Sequence, residues 1–234
     1  MRQYWWKILS IILLVYTFIG GFLVNLPHKT AYEDSNLYES MRNFFFHVPM
    51  WFSQVILLSV SLVYSIMYLR KPLMKYDIYA TEFARTGSVL GSLGLITGAI
   101  WANYTWGSPW SNDPKQIGAA IALLIYFAYF ILRNSMTDID KRNRIGAVYN
   151  IFAYFIYIPM IMILPRMVES LHPGGKGVEG NPGLSGNSLD PAMRMVFYPG
   201  VIGWILLGMW ISSLRIRMRL LEEKIIESEN EKGH

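Results

Sequence analysis

The 234-residue sequence contains no cysteine. That excludes disulfides, thiolate metal sites and the C-x-x-C-H motif of covalent haem attachment, so the chain is not itself a c-type cytochrome. Charge is scarce as well. Only 16% of residues are Asp, Glu, Lys or Arg, where a soluble domain carries about 25%. With 53% hydrophobic and 15% aromatic residues, this deficit argues against a water-soluble domain and for a lipid environment. A small-x-small cleavage site is missing too. Arg2 and Lys7 accompany the first apolar run, but "FLVNLPHK" follows it, so the expectation is a retained span rather than a removed signal. There is no internal repeat and no separate soluble domain. The one low-complexity stretch, Gly-rich from Pro173 to Gly186, reads as flexible.

What is present is a set of long apolar runs of the length a bilayer requires, about 20 residues each. They fall at Trp5–Val24, Phe44–Leu69, Phe83–Tyr104, Ile117–Leu132, Ile145–Val168 and Met193–Leu214. The fold class expected is therefore an all-α integral membrane protein of six transmembrane helices. Pro159 and Pro165 in the fifth run are tolerable where neighbouring helices satisfy the freed carbonyls. Gly87, Gly91, Gly94 and Gly98 in the third run form a small-residue stripe that lets another span or a partner approach closely. Residues 1–214 read as one membrane domain. Residues 215–234 read as a basic and polar cytoplasmic tail, a helix continuing the sixth span and then fraying.

Orientation follows from charge. With six spans both ends share a side, and of the 21 Lys and Arg fifteen fall on that side and six on the other. The positive-inside rule then makes both termini cytoplasmic. It also explains the basic loops by topology, leaving no case for nucleic acid. The outer segments are about Asn25–Asn43, Thr105–Gln116 and Glu169–Ala192. One of them, between the third and fourth spans, contains the Trp-rich "TWGSPWSNDPKQ".

Three outer-face features bear on chemistry, and each has two readings. His47, in "FFFHVPMWF", is either part of an aromatic interface belt or a neutral imidazole ligand, with Pro49 fitting the first turn of a helix behind it. His172, in "ESLHPGG", is either solvated or, paired with His47, the second axial ligand of one haem iron. Trp106 and Trp110 either join the belt or give flat apolar surface to a porphyrin, with Gly107 and Pro109 limiting loop motion. Asp113, just before Pro114, is suited to capping the fourth helix and not to touching anionic propionates. Lys115 and Arg166 are either interface anchors or the propionate partners. Neither His47 nor His172 has a local carboxylate partner that suggests acid–base work. His28 reads as a solvated loop residue, with substitution as a ligand the lesser alternative, and His234 reads as inert.

Together these residues resemble a known family. "WGSPWSNDP" looks like the tryptophan-rich WWD signature of the haem-handling proteins of cytochrome c maturation. "FHVP" and "SLHPG" look like that family's two histidine motifs, in the same order around the loop, and "TGAIWANYTWG" shares its character. Six spans and this length resemble the short CcmC type more than the longer CcsA and CcmF relatives. The resemblance covers nearly the whole chain. It implies His47 and His172 as axial ligands of a haem b, and Trp106, Gly107, Trp110 and Asp113 as the loop that presents it. The chain departs from the family at Asn112, where Trp is usual, and at Glu169 and Ser170, where aromatic residues often precede the second histidine. His28 matches no motif of the family.

The expected function is binding of haem at the periplasmic face of the cytoplasmic (inner) membrane and its transfer to a haem chaperone in c-type cytochrome biogenesis. The partners implied are a CcmE-type chaperone, CcmA- and CcmB-type transporter subunits, a small CcmD-type membrane subunit and the bilayer. No nucleophile or general base is evident, so an enzyme is not expected. The alternatives are a b-type electron-transfer cytochrome, which usually pairs histidines within the bilayer, and a secondary transporter, which favours charged or broken helices at the midplane.

Overall fold

A computed structural model describes residues 4–26, 39–176 and 189–232. His28 and His234, and most of the Gly-rich stretch, lie outside the described residues. Within them the chain is all-helical, with six helices long and apolar enough to cross a membrane. We number them α1 (Trp5–Leu23), α2 (Phe44–Arg70), α3 (Met74–Trp106), α4 (Pro114–Ser135), α5 (Ile139–Ile158) and α6 (Pro191–Lys232). All six expected spans are there, and the protein is a multi-pass membrane protein.

Three features differ from the sequence reading. The third helix begins nine residues earlier than its apolar run, because Asp77 and Glu82 are accommodated by partners rather than excluded. At 33 residues it is roughly 50 Å long, well beyond the ~30 Å hydrocarbon core. The second helix starts at Phe44, so Pro49 lies in its second turn and not its first. His47 is therefore the fourth residue of the helix and not a residue at its entry. The fifth span does not simply kink. A π-helical turn over Pro159–Ile163 joins α5 to the short helix Leu164–Met167. Proline lacks the N–H that would continue the ladder, and the backbone N–H of Leu164 reaches instead to the Pro159 carbonyl. The widened turn pushes the Met160 carbonyl against α4, where a Cβ on Gly118 would come within 2.5 Å of it. A glycine there is what lets the end of the fifth span close over α4.

The glycine stripe on α3 packs against α2, in register. A Cβ at Gly87 would meet Leu58, one at Gly91 would meet Gln54, one at Gly94 would meet Trp51 and one at Gly98 would meet His47. Four small residues thus seat four α2 side chains, one per turn, and fix how deeply each helix sits in the other. Asn43 adds a hydrogen bond from its Nδ2 to the Thr97 carbonyl, 3.1 Å. Arg42 donates to the Gly21 and Val24 carbonyls at the end of α1, satisfying acceptors that a helix C-terminus leaves open.

At the opposite end of the bundle the polar groups pair. Arg133 grips Asp77 through both guanidinium nitrogens, 2.8 and 2.6 Å, and donates to Asn143, joining α3, α4 and α5. Buried Glu82 accepts from Arg215 at 2.5 Å. The helix α6 runs through residues 214 and 215 without a break, and Ile216 is buried against Ile78 and Phe83.

Candidate functional site

The site grows from the Trp loop. Helix α3 ends at Trp106 because Gly107 turns into the left-handed region, φ +74°, as a glycine after a helix end readily does. Asn112 also has positive φ, +56°, which Asn tolerates better than most residues. Its Oδ1 accepts from Trp110 Nε1 at 2.9 Å. Asn112 is thus matched to a turn that an Asn adopts and a bond that it makes. Asp113 then caps α4, accepting from the Lys115 backbone N–H at 2.8 Å.

Gln116, which sequence reading passed over, knits the loop. Its Oε1 accepts from Ser111 N and Oγ, both at 3.0 Å, and its Nε2 donates to the Pro109 carbonyl at 3.2 Å. The signal was legible in "DPKQ", a cap residue with Gln three positions on. Here, though, the Gln reaches Ser111 instead of the cap.

The greater surprise is Asp113. Its Oδ2 accepts from Ser170 Oγ at 2.8 Å and from Leu171 N at 2.6 Å, and its Oδ1 stands 2.8 Å from His172 Nδ1. So His172 does have a carboxylate partner, contrary to what its local sequence offered, supplied from across the fold. Burial pushes the Asp113 carboxyl up, but the donors from Ser170 and Leu171 and the neighbouring imidazole outweigh this and hold it below its usual range. Burial, and then the charge of Lys115, bring His172 down to about 4, against the opposing pull of Asp113. At neutral pH the ring is therefore neutral. Its Nδ1–H donates to the carboxylate and Nε2 keeps its lone pair.

His47 reaches the same state by a different route. Its Nδ1 lies 3.0 Å from Thr97 Oγ1. The Thr97 hydroxyl spends its proton on the carbonyls one turn back, Leu93 at 2.9 Å and Gly94 at 3.1 Å. The imidazole must then be the donor, again leaving Nε2 free. The ring is buried over Gly98, with Trp51 and Trp101 meeting it edge-on at centroid distances of 6.2 and 5.9 Å.

Both histidines line one cavity of about 880 Å³ at the Trp-loop end, within the size range of small-molecule and cofactor sites. Its walls include Trp51, Trp101, Trp106 and Trp110. Trp106 meets the His172 ring edge-on at 4.9 Å. Lys115 and Arg166 also line it. Among the described residues neither forms an ion pair. Gly107 and Asp113 do not line it: one shapes the loop and the other stands behind His172. Trp51 and Trp101, by contrast, belong to the wall rather than to a lipid-facing belt.

A family model described as "Cytochrome C assembly protein" matches residues 3–172, which takes in both histidines and the whole Trp loop. The chain belongs to the cytochrome c assembly protein family. Among curated relatives of this family member, "Heme exporter protein C" of Escherichia coli is 24% identical over 221 residues, 94% of this chain and 84% of the relative. "Cytochrome c biogenesis protein CcsA" of Pelargonium hortorum is 37% identical over 92 residues, 39% of this chain and 27% of the relative. The CcsA of Prochlorococcus marinus is 47% identical over 70 residues, 30% of this chain and 22% of the relative. The chain thus spans about a quarter of the length of those CcsA relatives.

Proposed function

We propose that this protein holds haem b, as cargo, between His47 and His172 and passes it on during c-type cytochrome biogenesis. The observation that carries this is the pairing. Two imidazoles from distant segments, each with Nδ1 engaged and Nε2 free, face one Trp-walled cavity. An iron porphyrin brings four nitrogens and needs two axial ligands, a flat apolar surface and cations for its propionates. Trp51, Trp101, Trp106 and Trp110 suit the plane, and Lys115 and Arg166 suit the propionates. The names of the relatives, a heme exporter and cytochrome c biogenesis proteins, agree with this reading.

The recipient in this proposal is a membrane-anchored periplasmic chaperone of the CcmE type. CcmA- and CcmB-type transporter subunits and a small CcmD-type subunit act with it in the cytoplasmic (inner) membrane. Residues 1–214 would carry the haem work and 215–234 would form the cytoplasmic tail. We do not propose an enzyme. The Asp113–His172 pair has the form of a catalytic dyad, but the nearby Ser170 hydroxyl bonds the carboxylate and not the imidazole Nε2, so it is not placed as a nucleophile. An absorption spectrum of the purified protein loaded with haem tests the proposal. A bis-histidine, six-coordinate spectrum is expected, and a five-coordinate one would overturn it.

Two further outcomes follow from the same reading. Reporter fusions after Lys141 and after Lys176 should report opposite sides of the membrane, the second periplasmic, as the fifteen-to-six division of Lys and Arg requires. If both report the same side, the six-span topology on which the site is assembled fails. Trp106→Ala or Trp110→Ala should weaken haem retention while the haem that remains stays six-coordinate, since indoles give surface and not ligation. Trp106→Ala should be the more damaging, because it also removes the ring edge beside His172. Full haem occupancy with a lost axial band would contradict the assignment.

A further inference from the structure

The two candidate ligands differ in what stands behind them. His172 donates to a carboxylate that is itself only 1% exposed. His47 donates to a neutral hydroxyl. Neither Asp113 nor Thr97 lines the cavity, so each acts on a ligand only through the imidazole in front of it. A hydrogen bond to a charged acceptor is roughly twice as strong as one between neutral groups. A carboxylate behind a ligating imidazole raises the basicity of the ring toward a metal, and the hydroxyl does so much less.

We propose that Asp113 and Thr97 are positioning residues that make the two axial histidines unequal, Asp113 making His172 the stronger donor and Thr97 leaving His47 the ligand more easily displaced. The inference rests on the haem reading above. It implies an order of events at hand-over: the bond to His47 opens first, while His172 keeps its hold. Ser170 sets the strength of the effect, because its hydroxyl donates to the far oxygen of the same carboxylate at 2.8 Å and draws charge from it.

The test is the midpoint potential of haem bound to the full-length purified protein, in the wild type and in Asp113→Asn, Ser170→Ala and Thr97→Val. A more anionic donor favours ferric iron, and hydrogen bonding behind the axial ligand is one of the levers on potential. Asp113→Asn should therefore raise the potential and lower ferric haem affinity about 10- to 100-fold. Ser170→Ala leaves the carboxylate three donors, frees more of its charge, and should lower the potential. Thr97→Val should shift it less than Asp113→Asn. A merely structural role for Asp113 would give the two substitutions around one carboxylate the same sign. An unchanged potential in Asp113→Asn, equal signs, or a larger shift from Thr97→Val overturns the inference while the haem reading stands. If Asp113→Asn does not insert, the sign of the Ser170→Ala shift decides alone. A wild type without a bis-histidine spectrum brings down the haem reading itself, before any variant is compared.

Discussion

Replacing either His47 or His172 by alanine is expected to convert a six-coordinate haem into a five-coordinate or water-ligated one, and each variant should do so separately. Free imidazole should restore six-coordination in both. The two holes differ in shape. At position 47 the lost ring leaves space over Gly98, bounded by Trp51 and Trp101, so an added imidazole is caged and can donate to Thr97. At position 172 the loop is held independently of the ring. Asp113 keeps its bonds from Lys115 N, Ser170 Oγ and Leu171 N, so the carboxylate is not stranded and the segment stays in place. Both variants should insert normally, and haem delivery should fall in both. Losing a ligand outright should cost more affinity than losing an outer partner, itself worth about 10- to 100-fold. The measurement is an absorption titration with imidazole. If His172→Ala kept a bis-histidine spectrum and His28→Ala lost it, the second ligand would come from the first outer loop and the pairing described here would be wrong.

The six spans were legible because lipid forces the issue. A chain that cannot leave backbone groups open in hydrocarbon must cross as a helix, and about 20 apolar residues announce each one. The ends of α3 and α6 were less legible. Asp77, Glu82 and Arg215 look like boundary markers in sequence, yet they lie inside helices because they find one another or Arg133 across the bundle. A hydropathy reading sees a charge and not its partner. Pro159 signalled disturbance in the fifth span, but nothing in its neighbours distinguished a kink from a π-helical turn. That choice was made by Gly118 on α4, which gives the displaced carbonyl room.

For the candidate site, the residue types were legible and their wiring was not. His47, His172, Trp106, Trp110, Lys115 and Arg166 all reach one cavity, in keeping with their places on outer loops or the outer ends of spans. Asp113 was readable as a helix cap, which it is, because capping is a local pattern. Its three bonds to the 170–172 segment depend on tertiary folding and leave no trace in spacing. Thr97 had no signal either: a hydroxyl inside an apolar helix usually bonds its own backbone, and this one does so while also accepting from His47. Trp51 had a belt reading beside His47 and Trp101 was not singled out, because composition cannot tell a residue that faces lipid from one that faces a cavity.

The glycine stripe provides the last test, because its two ends pack alike but sit differently. At Gly98 a new Cβ would lie 2.7 Å from His47 Cε1. The ring cannot retreat freely, since its Nδ1 is tied to Thr97 on the same helix turn and two indole edges flank it. At Gly87 a new Cβ would lie 3.0 Å from Leu58 Cδ2, in the core below the cavity. Both substitutions overfill a close helix pair, and overpacking typically costs about 1–3 kcal/mol. Gly98→Ala and Gly87→Ala should therefore lose comparable thermal stability in detergent. Only Gly98→Ala should lose the six-coordinate haem spectrum, because only there does the displaced atom belong to a ligand. Should Gly87→Ala lose the spectrum as readily, the site would depend on packing in general and not on the register of His47 against α3. Should Gly98→Ala keep it, the imidazole would have more freedom than its four neighbours allow, and the case for His47 as a fixed ligand would fail.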